Sequence, residues 1–337
     1  MITILIYYCF LITILSSLKM VCVERVSEYS MLLSEAPLTN PIDAHLDWPS
    51  SGKIEIEHFS VRYRSTLPLS LRNISLKIQS GQRIGVVGRT GTYRDLSTVN
   101  DKMISKHSLP LSLSNSTYQG SGKSTLVQVL FRILEAETGS ISIDGIDISQ
   151  LGLHKLRGAM AVINQNPVLF SGCTIRENLD PFKKYSDEAV KAALADVQML
   201  DAIEILPGGL YSNVSENGSN FSVGERQLLC LARATLQKTN ILVLDEPTAN
   251  VDSHTDQLLQ DAVNKSFSES TIISVAHRLD TIIDNDLILV LGNGEVLEYG
   301  NPRDLIEQDG HFTKMVDETG EEMASYLRKK AVSPKNN

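Results

Sequence analysis

Two separated stretches, Gly88-Arg89-Thr90-Gly91 and Gly120-Ser121-Gly122-Lys123-Ser124-Thr125, form two halves of one chemical pattern. Joined through one of the two flanking glycines, Gly91 or Gly120, they would read GRTGSGKST. Glycines there let successive backbone N–H groups converge on phosphate oxygens, the lysine reaches the terminal phosphates, and the hydroxyl binds Mg²⁺. A second group, Asp245-Glu246, follows the apolar run Ile241-Leu242-Val243-Leu244. It offers one carboxylate to a metal's water shell and another to polarise an attacking water. Any buried strand can end in acids, so this pair gains meaning only beside the first group.

The elements that must position these residues follow from the hydrophobic pattern. Ile84-Gly85-Val86-Val87 reads as a buried strand running into the first half. After the second half, Leu126, Val129, Leu130, Ile133 and Leu134 recur at i, i+3, i+4, i+7 and i+8. That spacing predicts a helix with one apolar face and its N-terminus aimed at the anion. Residues 92–120 interrupt the pattern: serine-rich, without helical or strand period and carrying Pro110, they read as a flexible loop. Either Gly91 or Gly120 can supply the glycine before Ser121. The stretch reads as a translated intron or as a genuine regulatory insertion.

A length of 337 residues, 42% hydrophobic and 21% charged, suits one large globular domain with appendages. A net charge of −9 without a dense Lys/Arg tract argues against nucleic-acid binding through bulk charge. Cys9, Cys22, Cys173 and Cys230 contain no CxxC pair, which points away from a zinc site or a disulfide framework and fits a reducing cytosol. Residues 2–18 are uncharged and strongly apolar, at the short end of the span a membrane helix needs. They read as a last transmembrane helix, whole or truncated, or as a signal anchor or misassigned upstream sequence. Lys19 and Arg25 place the following chain on the cytoplasmic side.

Residues 1–20 are thus a possible membrane segment, 21–51 a proline-interrupted linker, 52–318 the domain and 319–337 a solvated polar tail. Within the domain, Ile54, Ile56 and His58 alternate with Glu55 and Glu57, and Ile74, Leu76 and Ile78 with Ser75 and Lys77. These predict antiparallel strands of a small β-subdomain. Residues of about 166–238 read as a separate helical lobe, and Ile241–Leu244 and Thr271–Val275 as buried parallel strands. Leu287–Leu291 and Glu295–Tyr299 around Gly292-Asn293-Gly294 predict a closing hairpin.

Taken together the pieces resemble the nucleotide-binding domain of ABC transporters, over roughly 52–318. Gln165 in INQNPVLF falls at that family's Q-loop glutamine, which contacts Mg²⁺. Ser222, Val223, Gly224 and Glu225 fall in its signature, Asp245 and Glu246 at its Walker B pair, and Asp252 in TANVD at its D-loop. His277 in SVAHRLDTI falls at its switch histidine, and Tyr63 in VRYR at the aromatic that stacks on adenine. Singly, Tyr63 reads as a half-buried strand aromatic, His277 as a strand-end histidine and Cys230 as core. VERVSEY, LFSGCTIRENLDPF and GSNFSVGERQLLCLARA further resemble the second such domain of subfamily C, the multidrug-resistance-associated transporters. Val223 stands where the family has glycine and Glu225 where it has glutamine, placing a carboxylate where the resemblance puts the partner's γ-phosphate, and like charges repel.

The resemblance implies an α/β, ABC-type P-loop ATPase core with an antiparallel β-subdomain and a helical subdomain. It implies ATP and Mg²⁺ as cofactors. Gly88, Gly91, Gly120, Ser121, Gly122, Lys123, Ser124 and Thr125 would hold phosphate, Tyr63 adenine, and Ser124, Asp245 and Gln165 the metal. Glu246 would act on water, and Gln165 and His277 would sense the γ-phosphate. Asp252 and the signature would belong to an ATP shared with a second domain. The expected partners are that second nucleotide-binding domain and transmembrane domains, with no nucleic acid. The setting would be the cytoplasmic face of a membrane, and the transported class organic anions, conjugates or drugs. Two other readings stand beside this one: a soluble ABC-type ATPase outside transport, and a docking module that does not turn over because its phosphate loop is split.

Overall fold

A computed structural model of the chain describes residues 20–21, 23–31, 34–88, 121–247, 251–276 and 278–332. The apolar residues 2–18, the whole interruption at 92–120 with Arg89, Thr90 and Gly91 before it, and His277 lie outside the described residues. The chain divides into two units, residues 1–38 and 39–337. In the first, residues 20–21 and 23–30 are helical (α1). Among the described residues no helix is long and apolar enough to cross a membrane.

The second unit is built on two sheets. The smaller pairs β1 (Ile54–Val61) antiparallel with β2 (Leu71–Ile78) and with β4 (Thr138–Ile143), and ends at β5 (Ile146–Asp147). The expected alternation holds through Ile56 and then breaks at His58, which has φ 47° and is exposed. The register slips there, so Phe59 takes the inward place predicted for His58.

The larger sheet has the order β10-β9-β3-β8-β7-β6, formed by β3 (Arg83–Val87), β6 (Met160–Ile163), β7 (Ile241–Asp245), β8 (Thr271–Val275), β9 (Leu287–Gly292) and β10 (Glu295–Gly300). Its inner strands are parallel, and β9–β10 is the predicted antiparallel hairpin. Ile241 to Leu244 are buried without alternation because both faces of this sheet are covered. On one face lie the small sheet and α2 (Lys123–Leu130). On the other lie α4 (Ile175–Leu179), α5 (Asp187–Asp196), α7 (Val223–Gln237) and α8 (Ser253–Ser266). The short helices α3 (Leu153–Gly158) and α6 (Leu200–Glu204) precede β6 and α7, and α9 (Pro302–Glu307) and α10 (His311–Asp317) follow β10.

Several boundaries differ from expectation. The linker ends earlier than residue 51, because the domain begins at Thr39. Trp48 is buried and donates Nε1–H to the Ile143 carbonyl at 2.8 Å, and Asp144 collects the backbone of Ser50 to Lys53. The tail is not a solvated helix: α11 (Glu321–Val332) buries Ala324 and Leu327 against Leu305, Phe312 and Val316. The helical lobe is not separate, since its core is continuous with Ala161, Ile163, Leu242 and Leu244 of the sheet. Finally, α2 stops at Leu130, before Ile133, which is exposed. Arg132 adopts φ 48° so that its guanidinium can reach the carbonyls of Ile148 and Leu151, each at 2.9 Å.

Candidate functional site

The two halves of the glycine pattern meet in space. Gly88 follows β3, and a Cβ placed on it would lie 2.7 Å from Cβ of Ser121 and 2.3 Å from the Leu291 carbonyl oxygen. Only glycine fits that approach. Gly122 has φ +98°, and its missing Cβ leaves room for Leu71. From this turn α2 starts with no side-chain cap and no acid in its first turn. Its N-terminal N–H groups and the positive end of its dipole are what an anion requires.

Lys123 is buried at 5% exposure, and its Nζ donates to the Gly88 carbonyl at 2.9 Å. Burial lowers its pKa, while Glu246 and then Asp245 act to keep the proton on it. Both carboxylates come from the C-terminal end of β7 and are half-buried. Glu246 sits at φ 50°, its N–H bonded to the Val275 carbonyl at 3.0 Å. A non-glycine residue is uncommon there and persists only where its surroundings hold it, and the backbone sets the direction of its Cα–Cβ bond. Ser124 is exposed in the first turn of α2, and Thr125, buried, shares a 3.1 Å hydrogen bond with the Tyr63 hydroxyl. Tyr63, on the turn after β1, is 46% exposed, so it is not the half-buried strand aromatic of the single-residue reading.

Among the described residues no group of three or more His, Cys, Asp or Glu could hold a metal unaided. A Mg²⁺ ion does not require such a group, since it takes one or two protein oxygens and fills its other positions with water and phosphate. The donor set fits a Mg-nucleotide: an uncapped helix start, a buried lysine, the Ser124 hydroxyl and Asp245.

The other sequence-predicted residues gather around the start of α7. Ser222 caps that helix, its Oγ accepting from the Glu225 N–H at 3.2 Å, and the Glu225 carboxylate accepts from the Ser222 N–H at 2.7 Å. Gly224 packs so closely on α8 that a Cβ would lie 2.6 Å from Cγ2 of Thr255. Asp252 caps α8, accepting from N–H and Oγ of Thr255 at 3.0 and 2.9 Å, and these bonds lower its pKa. Gly224 and Asp252 are thereby neighbours through Thr255. Gln165 has an exposed side chain; its carbonyl, with that of Asn164, accepts from Nε2 of Gln227 at 3.0 Å. Gln227 is fully buried on α7 and anchors the Gln165 loop, a role that its place inside an apolar helical run conceals. Cys230 is buried and burial raises its pKa, as a core thiol requires.

Residues 118–249 match the family model described as ABC transporter. Its domain belongs to the ABC transporter family. The ABC domain is 45% identical to ATP-binding cassette sub-family C member 2 of Rattus norvegicus over 91% of this chain and 18% of that protein. It is 43% identical to ABC transporter C family member 9 of Arabidopsis thaliana over 89% of this chain and 18% of that protein. The chain therefore spans under a fifth of the length of these relatives. A solved structure of a bacterial Atm1-family ABC exporter with ATP bound shares 28% identity and a TM-score of 0.72, over 90% of this chain and 47% of that one. The α/β fold of an ABC-type P-loop ATPase domain, read from the sequence, is thus borne out, as is the kinship with subfamily C.

Proposed function

We propose that this ABC domain binds Mg-ATP at the start of α2 and hydrolyses it to drive export across a membrane, from the cytoplasmic face and with a second such domain and transmembrane domains as partners. The observation that carries this reading is Lys123, buried and partly desolvated between the Gly88 carbonyl and the Asp245/Glu246 pair, at an uncapped helix start. Lys123 exchanges its bond to Gly88 for the terminal phosphates, and Gly88, Ser121 and Gly122, with Gly91 or Gly120, surround them with backbone N–H groups. Ser124, Asp245 and Gln165 would hold Mg²⁺, which supplies charge neutralisation across the β- and γ-phosphates. Glu246 takes the proton of the attacking water, the direction of its Cα–Cβ bond set by the left-handed backbone at its own position. His277 and Gln165 sense the γ-phosphate, and Tyr63 holds the base. Ser222, Gly224 and Asp252 face the partner's ATP, so turnover per molecule rises with concentration or with an added second domain. The cargo class is that of subfamily C, organic anions, conjugates or drugs.

The test is ATP binding and turnover by the full chain beside Glu246→Gln and Lys123→Ala. Glu246→Gln should keep binding while turnover falls by about 10²-fold or more. Lys123→Ala should lose binding by roughly tenfold to a hundredfold, the scale of a charged hydrogen bond. Full turnover in Glu246→Gln would remove that carboxylate from its role.

A further inference from the structure

The turn between β1 and β2 is fastened at many points except around the Tyr63 ring. Ser70 N–H bonds the Val61 carbonyl at 2.8 Å and Leu67 N–H bonds the Arg64 carbonyl at 2.9 Å. The Arg62 guanidinium spans the turn, donating to the Ser65 and Leu67 carbonyls at 3.3 Å each while pairing with Glu137. The backbone of Tyr63 is therefore fixed, while its ring is 46% exposed and has solvent on one side. Its far end is the exception. The hydroxyl meets Oγ1 of Thr125 at 3.1 Å, and Thr125 is 5% exposed, β-branched and therefore stiff, on the first turn of the helix that would receive phosphate.

We infer that Thr125 is a positioning residue for base recognition: through its bond to the Tyr63 hydroxyl it presets the ring that would lie against adenine and ties the base seat to the phosphate seat. The inference rests on the ATP-binding reading above. Its physical content is entropic. An exposed aromatic ring that must be ordered on binding weakens affinity, and a ring already tethered at both ends does not. Ordering one such side chain corresponds to roughly a two- to tenfold change in affinity.

The experiment measures binding of Mg-ATP and of Mg-tripolyphosphate, which has no base, to the full chain and to Tyr63→Phe, Thr125→Val, Thr125→Ser and the double variant Tyr63→Phe/Thr125→Val. Tyr63→Phe removes only the hydroxyl of an exposed ring, so it reports on the tether even where Thr125→Val disturbs folding. The expected result is a two- to tenfold loss of ATP affinity in Tyr63→Phe with unchanged tripolyphosphate binding, a loss in Thr125→Val that is larger for ATP than for tripolyphosphate because Thr125 also belongs to the phosphate seat, no loss in the double variant beyond that of Thr125→Val, and recovery in Thr125→Ser. Additive losses, or a Thr125→Val loss equal for ATP and tripolyphosphate, would overturn the inference and leave the ATP reading standing. A wild-type chain that binds neither ligand overturns both.

Discussion

Helix α2 begins at Gly122 with no capping side chain and no acid in its first turn, whereas α7 begins at Ser222 with a complete capping box in which Glu225 accepts from the Ser222 N–H. The two helix starts carry the same orphan N–H groups and the same positive dipole end. They differ in who satisfies them. At α7 the chain's own carboxylate does so, at a net gain of the order of 1 kcal/mol typical of a cap. At α2 that gain is forgone, and the lysine beside it is buried at the cost of a lowered pKa. A helix start left open next to a desolvated cation is an arrangement that stability alone would not retain. An external anion accounts for both features.

The comparison sharpens most when only the α2 end is changed. Gly88 and Ser121 already touch, although residues 89–120 separate them in sequence. Closing a loop the length of residues 92–120 costs about 3 kcal/mol, which corresponds to about a hundredfold in affinity. Removing residues 92–120 should therefore tighten ATP binding by up to about a hundredfold while leaving the α7 end as it is. Titration of both versions checks this. Equal affinities would mean that residues 92–120 are a tolerated insertion and that they do not limit binding at the open end of α2.

How much of this was legible in the sequence depends on whether a feature is local. The Gly-Ser-Gly-Lys-Ser-Thr run, the apolar strand before Asp245 and the hairpin around Gly292-Asn293-Gly294 all follow from short spacings. The Ser222/Glu225 box obeys a four-residue pattern and was legible in principle; family resemblance drew attention instead to the charge that Glu225 brings. Contacts between residues far apart in sequence could not be read. Gln227 lies 62 residues from the carbonyl it holds at Gln165, and Tyr63 lies 62 from Thr125. The docked α11 was missed for a related reason. Ala324 and Leu327 are its buried residues, a short stripe on a helix that also carries Glu321, Glu322, Arg328, Lys329 and Lys330 and exposes Met323 and Tyr326. Ile133 was assigned to a helix because periodicity does not reveal that Arg132 leaves helical geometry to bond carbonyls beyond it.

A smaller change acts on the α7 end alone. If Glu225 occupies the place where the partner's γ-phosphate would come, Glu225→Gln keeps a side chain able to accept from the Ser222 N–H but removes the negative charge. Turnover supported by an added second domain should then rise several-fold, since one exposed charge contact is worth up to about 1 kcal/mol. ATP binding by the chain alone should not move. Partner-supported turnover that falls in Glu225→Gln would mean that the carboxylate assists assembly, and the contrast between an open and a closed helix start would lose its functional meaning.

The smallest effect is expected at a third cluster of N–H groups, one that is closed by a residue distant in sequence. Asp144, at φ 49° between β4 and β5, accepts from the N–H groups of Ser50, Ser51, Gly52 and Lys53 at 2.8–3.0 Å and from Oγ of Ser51 at 2.6 Å. Burial by itself would raise its pKa, but these hydrogen bonds prevail and bring it from 3.8 down to about 2. A depressed carboxylate pKa stabilises the fold at pH values above the unfolded value, and that contribution disappears as the pH falls through the folded value. The stabilisation from Asp144 should therefore be constant above about pH 4 and vanish between there and about pH 2. Because the group is only partly buried, solvent screening reduces its contribution to about 1 kcal/mol, which for a domain of this size is about 2 °C in Tm. Asp144→Asn should lower Tm by that amount at pH 7, and the gap between variant and wild type should close progressively below pH 4. A gap that persists unchanged at pH 3 would show that shape rather than charge holds the entry of the domain to the β4–β5 turn, and that a closed N–H cluster of this kind is not an anion seat at all.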